Sequence, residues 1–109
     1  MKVAIIGSRT LRVENLEKYL PDGITEIVSG GAKGIDTQAR EYAQNNNISL
    51  KEFLPEYTKY GKSAPLKRNL QIIAYADYVV AFWDGASKGT KFVIDACEKQ
   101  GKKITVHLV

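Results

Sequence analysis

The chain has 109 residues and a formal charge of +4, with 44% hydrophobic and 26% charged residues. Such a chain supports one core and has the proportions of an ordinary globular domain, and its excess of cations leans only weakly towards anionic partners. A lone cysteine, Cys97, excludes an intramolecular disulfide, and with His107 the sole histidine no plausible zinc site remains.

No apolar run approaches the ~18 residues that span a bilayer. Met1-Lys2 leads straight into an apolar run with no signal-peptide pattern, so the expected location is the cytoplasm. Lys2 to Ile6 reads as a strand covered on both faces, ending at Gly7. Val13, Leu16 and Leu20 recur at helical spacing, which predicts a first helix stopped by Pro21-Asp22-Gly23. Thr25 to Ser29 is the second strand. Ile35, Ala39, Tyr42 and Ala43 mark one face of the next helix, and Asn45-Asn46-Asn47 ends it.

Ile48 to Leu54 is a third strand, followed by an irregular segment from Glu56 to Ala64. Pro65 suits the first turn of a helix whose inner face is predicted to carry Leu66, Leu70 and Ile73. Tyr78 to Trp83 is a fourth, wholly apolar strand. Val93, Ala96 and Cys97 give the following helix its buried face, Gly101 closes it, and Lys103 to Val109 is the last strand. This alternation of strand and helix predicts an α/β fold: one Rossmann-like domain over residues 1–109, with a five-stranded parallel sheet in the order 3-2-1-4-5 and helices on both faces. Ligands of such folds bind at the carboxyl ends of the strands where the winding reverses, here between strands 1 and 4.

Three loops at that edge carry glycine and chemistry. Gly7-Ser8-Arg9-Thr10 offers a turn, a hydroxyl and a guanidinium, suited to a phosphate or to a plain strand-to-helix turn. Ser29-Gly30-Gly31-Ala32-Lys33-Gly34 is neither a P-loop nor G-x-G-x-x-G. Its glycines permit close backbone approach, Lys33 adds a charge, and the helix that follows suits an anion at its start. Asp36, in the first turn of that helix, reads as a loop brace and belongs to the same candidate site. Asp84-Gly85-Ala86-Ser87-Lys88-Gly89-Thr90 opens another helix. There Ser87, Gly89 and Thr90 offer hydroxyls and N–H groups, and Asp84 and Gly85 lie beside them.

From Tyr57 to Ala76 the chain has four cations, Lys59, Lys62, Lys67 and Arg68, and no acid. Tyr57 and Tyr60 interleave with them, as a base with its phosphate or a single strand would require; a solvated basic helix with tyrosines on the core is the other reading. Lys62, Arg68 and Asn69 join the candidate site. No Ser-His-Asp or Cys-His arrangement is legible, and His107 and Cys97 read as structural.

These motifs resemble those of the SLOG superfamily of Rossmann-like nucleotide-binding domains, and most of all its small YspA-like branch. The likeness runs through Ile6 to Arg9, Ser29 to Asp36, Tyr60 to Ala64 with Arg68-Asn69, and Phe82 to Gly85 with Ser87 to Thr90. Pro65 departs from the pattern, which has a second small residue there. The resemblance implies a nucleotide or nucleotide-derived ligand in a sensing or nucleotide-handling domain, with no certain cofactor.

The first two motifs are also similar to DNA-processing protein A, which implies single-stranded nucleic acid as a partner contacted by Arg9 and Lys33. The fourth resembles LOG phosphoribohydrolases and nucleoside deoxyribosyltransferases, which implies a nucleotide-processing hydrolase or glycosidase. Those enzymes place a glutamate where this chain has Val93, and Asp95 lies about 200° round the helix from it. A homodimer is expected from size alone.

Overall fold

The computed structural model describes residues 1–109. Its strands are β1 (Lys2–Gly7), β2 (Glu26–Ser29), β3 (Ser49–Glu52), β4 (Tyr78–Trp83) and β5 (Ile104–Leu108). They form one parallel sheet in the order β3-β2-β1-β4-β5. Between them lie helix α1 (Ile35–Asn45), the helical turn α2 (Tyr57–Tyr60), α3 (Ala64–Tyr75) and α4 (Lys88–Gln100). The parallel topology follows from the alternation of elements, because each parallel pair needs a crossover. No helix is long and apolar enough to cross a membrane.

The side-chain period of two in the central strands divides the core. Ala4, Ile6, Val28, Val79 and Ala81 point to one face, under Ile72 and Ile73 of α3 and Val93, Ile94 and Cys97 of α4. Val3, Ile5, Ile27, Val80 and Phe82 point to the other, under Ile35, Ala39 and Ala43 of α1. Helices therefore cover both faces. His107 stacks on Phe82 and meets Tyr19 edge-on, in a packing role. Chain reversals sit on left-handed residues: Asn47 (φ 53°) after α1 and Gly101 (φ 71°) after α4, where Lys102 N–H closes onto Cys97 O at 2.9 Å.

Two local expectations are corrected. The helix predicted around Val13, Leu16 and Leu20 is only a 3₁₀ turn over Leu16–Tyr19. Val13 and Leu16 are buried as their spacing implies, but the backbone of Val13 is held by α1. Its N–H donates to Gln38 Oε1 at 2.9 Å, and Gln38 Nε2 donates back to Val13 O. Asn15 is left-handed and Leu20 is extended before Pro21, so no helix grows from either end.

The second correction concerns α3. Leu66 and Leu70 are 41% and 37% exposed, while Ala64, Arg68, Ile72 and Ile73 face inward. Both sets have i, i+4 spacing; a buried arginine occupies the inner one. The segment before α3 is also less irregular than expected, since α2 and a 3₁₀ turn at Gly61–Ser63 fill most of it.

Candidate functional site

An open cleft of about 420 Å³ lies at the carboxyl ends of β1 and β4, where the strand order reverses. The loop after β1 supplies Gly7, Ser8, Arg9 and Thr10. The turn after β2 supplies Ala32 and Asp36, and the start of α3 supplies Pro65, Leu66, Arg68 and Asn69. The loop after β4 and the first turn of α4 bring Asp84, Ser87, Gly89 and Thr90, over an apolar floor of Ile6, Ile72 and Val93. Residues from four separated stretches thus meet in one place.

The loop after β1 is set by the sheet. Ser8 N–H donates to Phe82 O at 3.2 Å, continuing the β1–β4 ladder past Gly7. That leaves the Ser8 side chain at the cleft, 3% exposed, with Oγ making no hydrogen bond. A buried hydroxyl without a partner is costly, so a ligand atom there would satisfy it. Arg9 beside it is exposed and enters no ion pair.

The turn after β2 is braced inward. Ser29 Oγ accepts from Gly31 N–H at 3.4 Å and donates to Asp36 O at 3.5 Å, and Asp36 Oδ2 accepts from Ala32 N–H at 3.1 Å. Arg68 comes in from α3, donating through Nη1 to Gly30 O at 2.5 Å and Phe53 O at 3.4 Å and through Nε to Asn69 Oδ1 at 2.9 Å. Gly30 is what admits it, because a Cβ there would sit 2.5 Å from Arg68 Nη1. Ser29, Gly30, Gly31 and Gly34 thus form the wall behind the cleft without lining it. Lys33, Lys62 and Gly85 are exposed and stand outside it.

Burial pushes the Asp36 carboxyl above its usual value, against the opposing pull of the Ala32 N–H and of Arg68. Burial likewise lowers the Arg68 guanidinium, with Asp36 opposing. The folded state therefore holds the Asp36 proton more tightly than the unfolded chain does. This contribution to stability is complete below the unfolded value of 3.8 and is lost as pH rises through the raised folded value. Asp36→Asn keeps an acceptor for Ala32 and cannot ionise. In urea unfolding between about pH 4 and pH 7, the parent is expected to lose stability relative to Asp36→Asn and then run parallel to it. Curves parallel throughout would refute the assignment.

The α4 end differs in character. Asp84 Oδ1 accepts from Ala86 N–H at 2.9 Å and Ser87 N–H at 2.8 Å, and these amides, with a smaller contribution from the nearby Ser8 hydroxyl, hold its carboxylate below the usual range. Trp83 Nε1 donates to Ser87 O at 3.0 Å and fixes the loop. Ser87 caps α4 by accepting from Thr90 N–H at 3.5 Å. The amides of Lys88 and Gly89 precede the first intrahelical donor, Lys91 N–H onto Ser87 O, and lie at the positive end of the helix dipole.

A Cβ on Gly89 would meet nothing within 4 Å, and its φ needs no glycine, so this glycine only leaves the cleft open. One turn on, Val93 is buried in the floor, while Asp95 is exposed and paired with Lys91 at 2.8 Å.

The apolar lining residues Ile6, Ile72 and Val93, and the rim residues Pro65 and Leu66, escaped the reading of the sequence as ligand contacts. Side chains of this kind carry no signal that separates a cleft floor from a core. No group of three or more His, Cys, Asp or Glu residues stands close enough to hold a metal. Comparison with protein-family models, with curated proteins and with solved structures found no match.

Proposed function

We propose that the cleft binds a nucleotide or nucleotide-derived ligand, and that the protein is a sensing or nucleotide-handling domain. One observation carries this reading: donors without partners converge at the strand-order reversal, beside an apolar floor. The Ser8 hydroxyl, the Arg9 guanidinium and the first amides of α4 surround a space that suits a phosphate. The Asp84 carboxylate suits a ribose hydroxyl or an exocyclic amine, and Ile6, Ile72 and Val93 suit the face of a base or sugar. The volume is in the range of small-molecule sites. Membership of the SLOG superfamily is part of the proposal, and the resemblance supports it. Val93 in the floor supports binding over N-glycosidic hydrolysis, since no carboxylate occupies that position.

The test is thermal unfolding against mononucleotides, ADP-ribose, NAD and cyclic dinucleotides. A ligand at 100 times its Kd adds ~2.7 kcal/mol, a shift of several degrees for a domain of this size. Gly89→Gln places a side chain in the open mouth of the cleft without touching the fold. It is expected to abolish the ligand shift while leaving the unliganded Tm at or above that of the parent, because glutamine is the better helix former. A shift that survives Gly89→Gln refutes the site. Product analysis on the shifting ligand then separates sensing from turnover.

A further inference from the structure

Outside the cleft, the most unusual surface is the face formed by α2 and the start of α3. Lys59, Lys62 and Lys67 are all exposed there, and none enters an ion pair. Glu56 lies just before the segment and acts on Lys59, and Glu52 is paired with Arg40 at 2.8 Å. Tyr60 is half-buried, with the Lys59 ammonium 5.1 Å and the Lys67 ammonium 6.0 Å from its ring centroid. The ring keeps two cations together on one surface. Tyr57 is 57% exposed, and Leu54 beside it is also open to solvent.

We infer that this face binds single-stranded nucleic acid, with the three lysines on successive phosphates and a base stacked on Tyr57. Charge complementarity names the occupant. Lysines outside any ion pair release counterions when they meet phosphates, and an exposed aromatic ring stacks on any unpaired base. A duplex offers no free base face to Tyr57. The inference stands apart from the nucleotide reading of the cleft, because none of these side chains lines the cleft.

The probe is a fluorescein-labelled oligothymidylate of about ten nucleotides, followed by anisotropy as the full chain is titrated in at several salt concentrations. Three phosphate contacts predict a slope of log K against log salt near −2, at about 0.7 per contact. Tyr57→Ala is expected to weaken binding about tenfold, and Lys62→Gln to lessen the slope by about 0.7. Both side chains are on the surface, so the melts of the variants should match the parent and show that the fold is intact. No salt-dependent binding, or an affinity unmoved by Tyr57→Ala, overturns the inference. So does equal affinity for a duplex of the same length. Cosedimentation with phosphatidylserine vesicles, or self-association, that Tyr57→Ala removes while the oligonucleotide stays unbound also overturns it.

Discussion

Gly34→Ala is expected to leave little folded protein. Gly34 has φ of 72°, and a Cβ there would lie 2.4 Å from Arg9 O, 2.7 Å from Arg9 C and 2.8 Å from Ser8 O. The obstacle is backbone, namely the loop leaving β1 as it crosses the start of α1. Neither chain can yield without moving a strand end that is bonded into the sheet at Ser8 N–H to Phe82 O. Left-handed strain of about 1–3 kcal/mol and overpacking of about 1–3 kcal/mol together approach the whole stability of a small domain. Gly61→Ala is the control. Gly61 also has positive φ, at 56°, with ψ of −134°, but a Cβ there meets nothing within 4 Å, so only the backbone term of about 1–3 kcal/mol remains. Circular dichroism and urea unfolding of the two variants test this. A Gly34→Ala protein that melts near Gly61→Ala would refute the crossing.

Arg68→Met is the second large effect, with an expected loss of about 2–4 kcal/mol and a fall in Tm of roughly ten degrees. Methionine keeps much of the apolar stem but removes the donors to Gly30 O and Phe53 O, inside a region where Arg68 is 7% exposed. Three elements then lose their common tie: the end of β2, the segment after β3, and α3. Arg68→Lys is not expected to restore it, because one ammonium cannot reproduce a planar fork that serves two carbonyls and Asn69 at once. Asp36 is coupled to the loss, since Arg68 is the main charge favouring its ionised form. Adding Asp36→Asn to Arg68→Met is therefore expected to cost less than the two single effects combined, by about 0.5 kcal/mol or more. Strict additivity in urea unfolding would separate the two residues. Arg68 also lines the cleft, so the ligand shift should fall with Arg68→Met.

The meeting of these residues was readable in outline. Alternating elements imply a parallel sheet, and strand order brings the loops after β1, β2 and β4 to one edge. From those loops and the helix starts that follow them, Ser8, Arg9, Asp36, Asp84, Ser87, Gly89 and Thr90 do line a common cleft, joined by Arg68 and Asn69 of α3. The glycines are where residue type misleads. Gly7 looks like part of a ligand loop, yet a Cβ there would strike Ile35 at 2.5 Å and Phe82 O at 2.8 Å, so α1 packing on the sheet already requires it. Gly30 admits Arg68, and Gly34 admits the loop after β1. Only Gly89 faces open space in the cleft with an ordinary backbone conformation. A glycine in a string of letters states that a Cβ is absent, not what occupies its place.

Local chemistry determined what neighbours in the chain can settle between themselves. The apolar runs of β1 and β4, the stop at Asn45-Asn46-Asn47, the left-handed Gly101 and the Ser87 cap all depend on contacts within a few residues. Partners far along the chain decided the rest. The predicted first helix yields to Gln38, 25 residues away, which claims both backbone groups of Val13. The inward face of α3 is set by Gly30, 38 residues before Arg68, because a buried guanidinium donating to that carbonyl outweighs the apolar pull of Leu66 and Leu70. In both cases a buried polar group had to find its hydrogen bonds, and the side chains able to supply them become neighbours only once the sheet has formed.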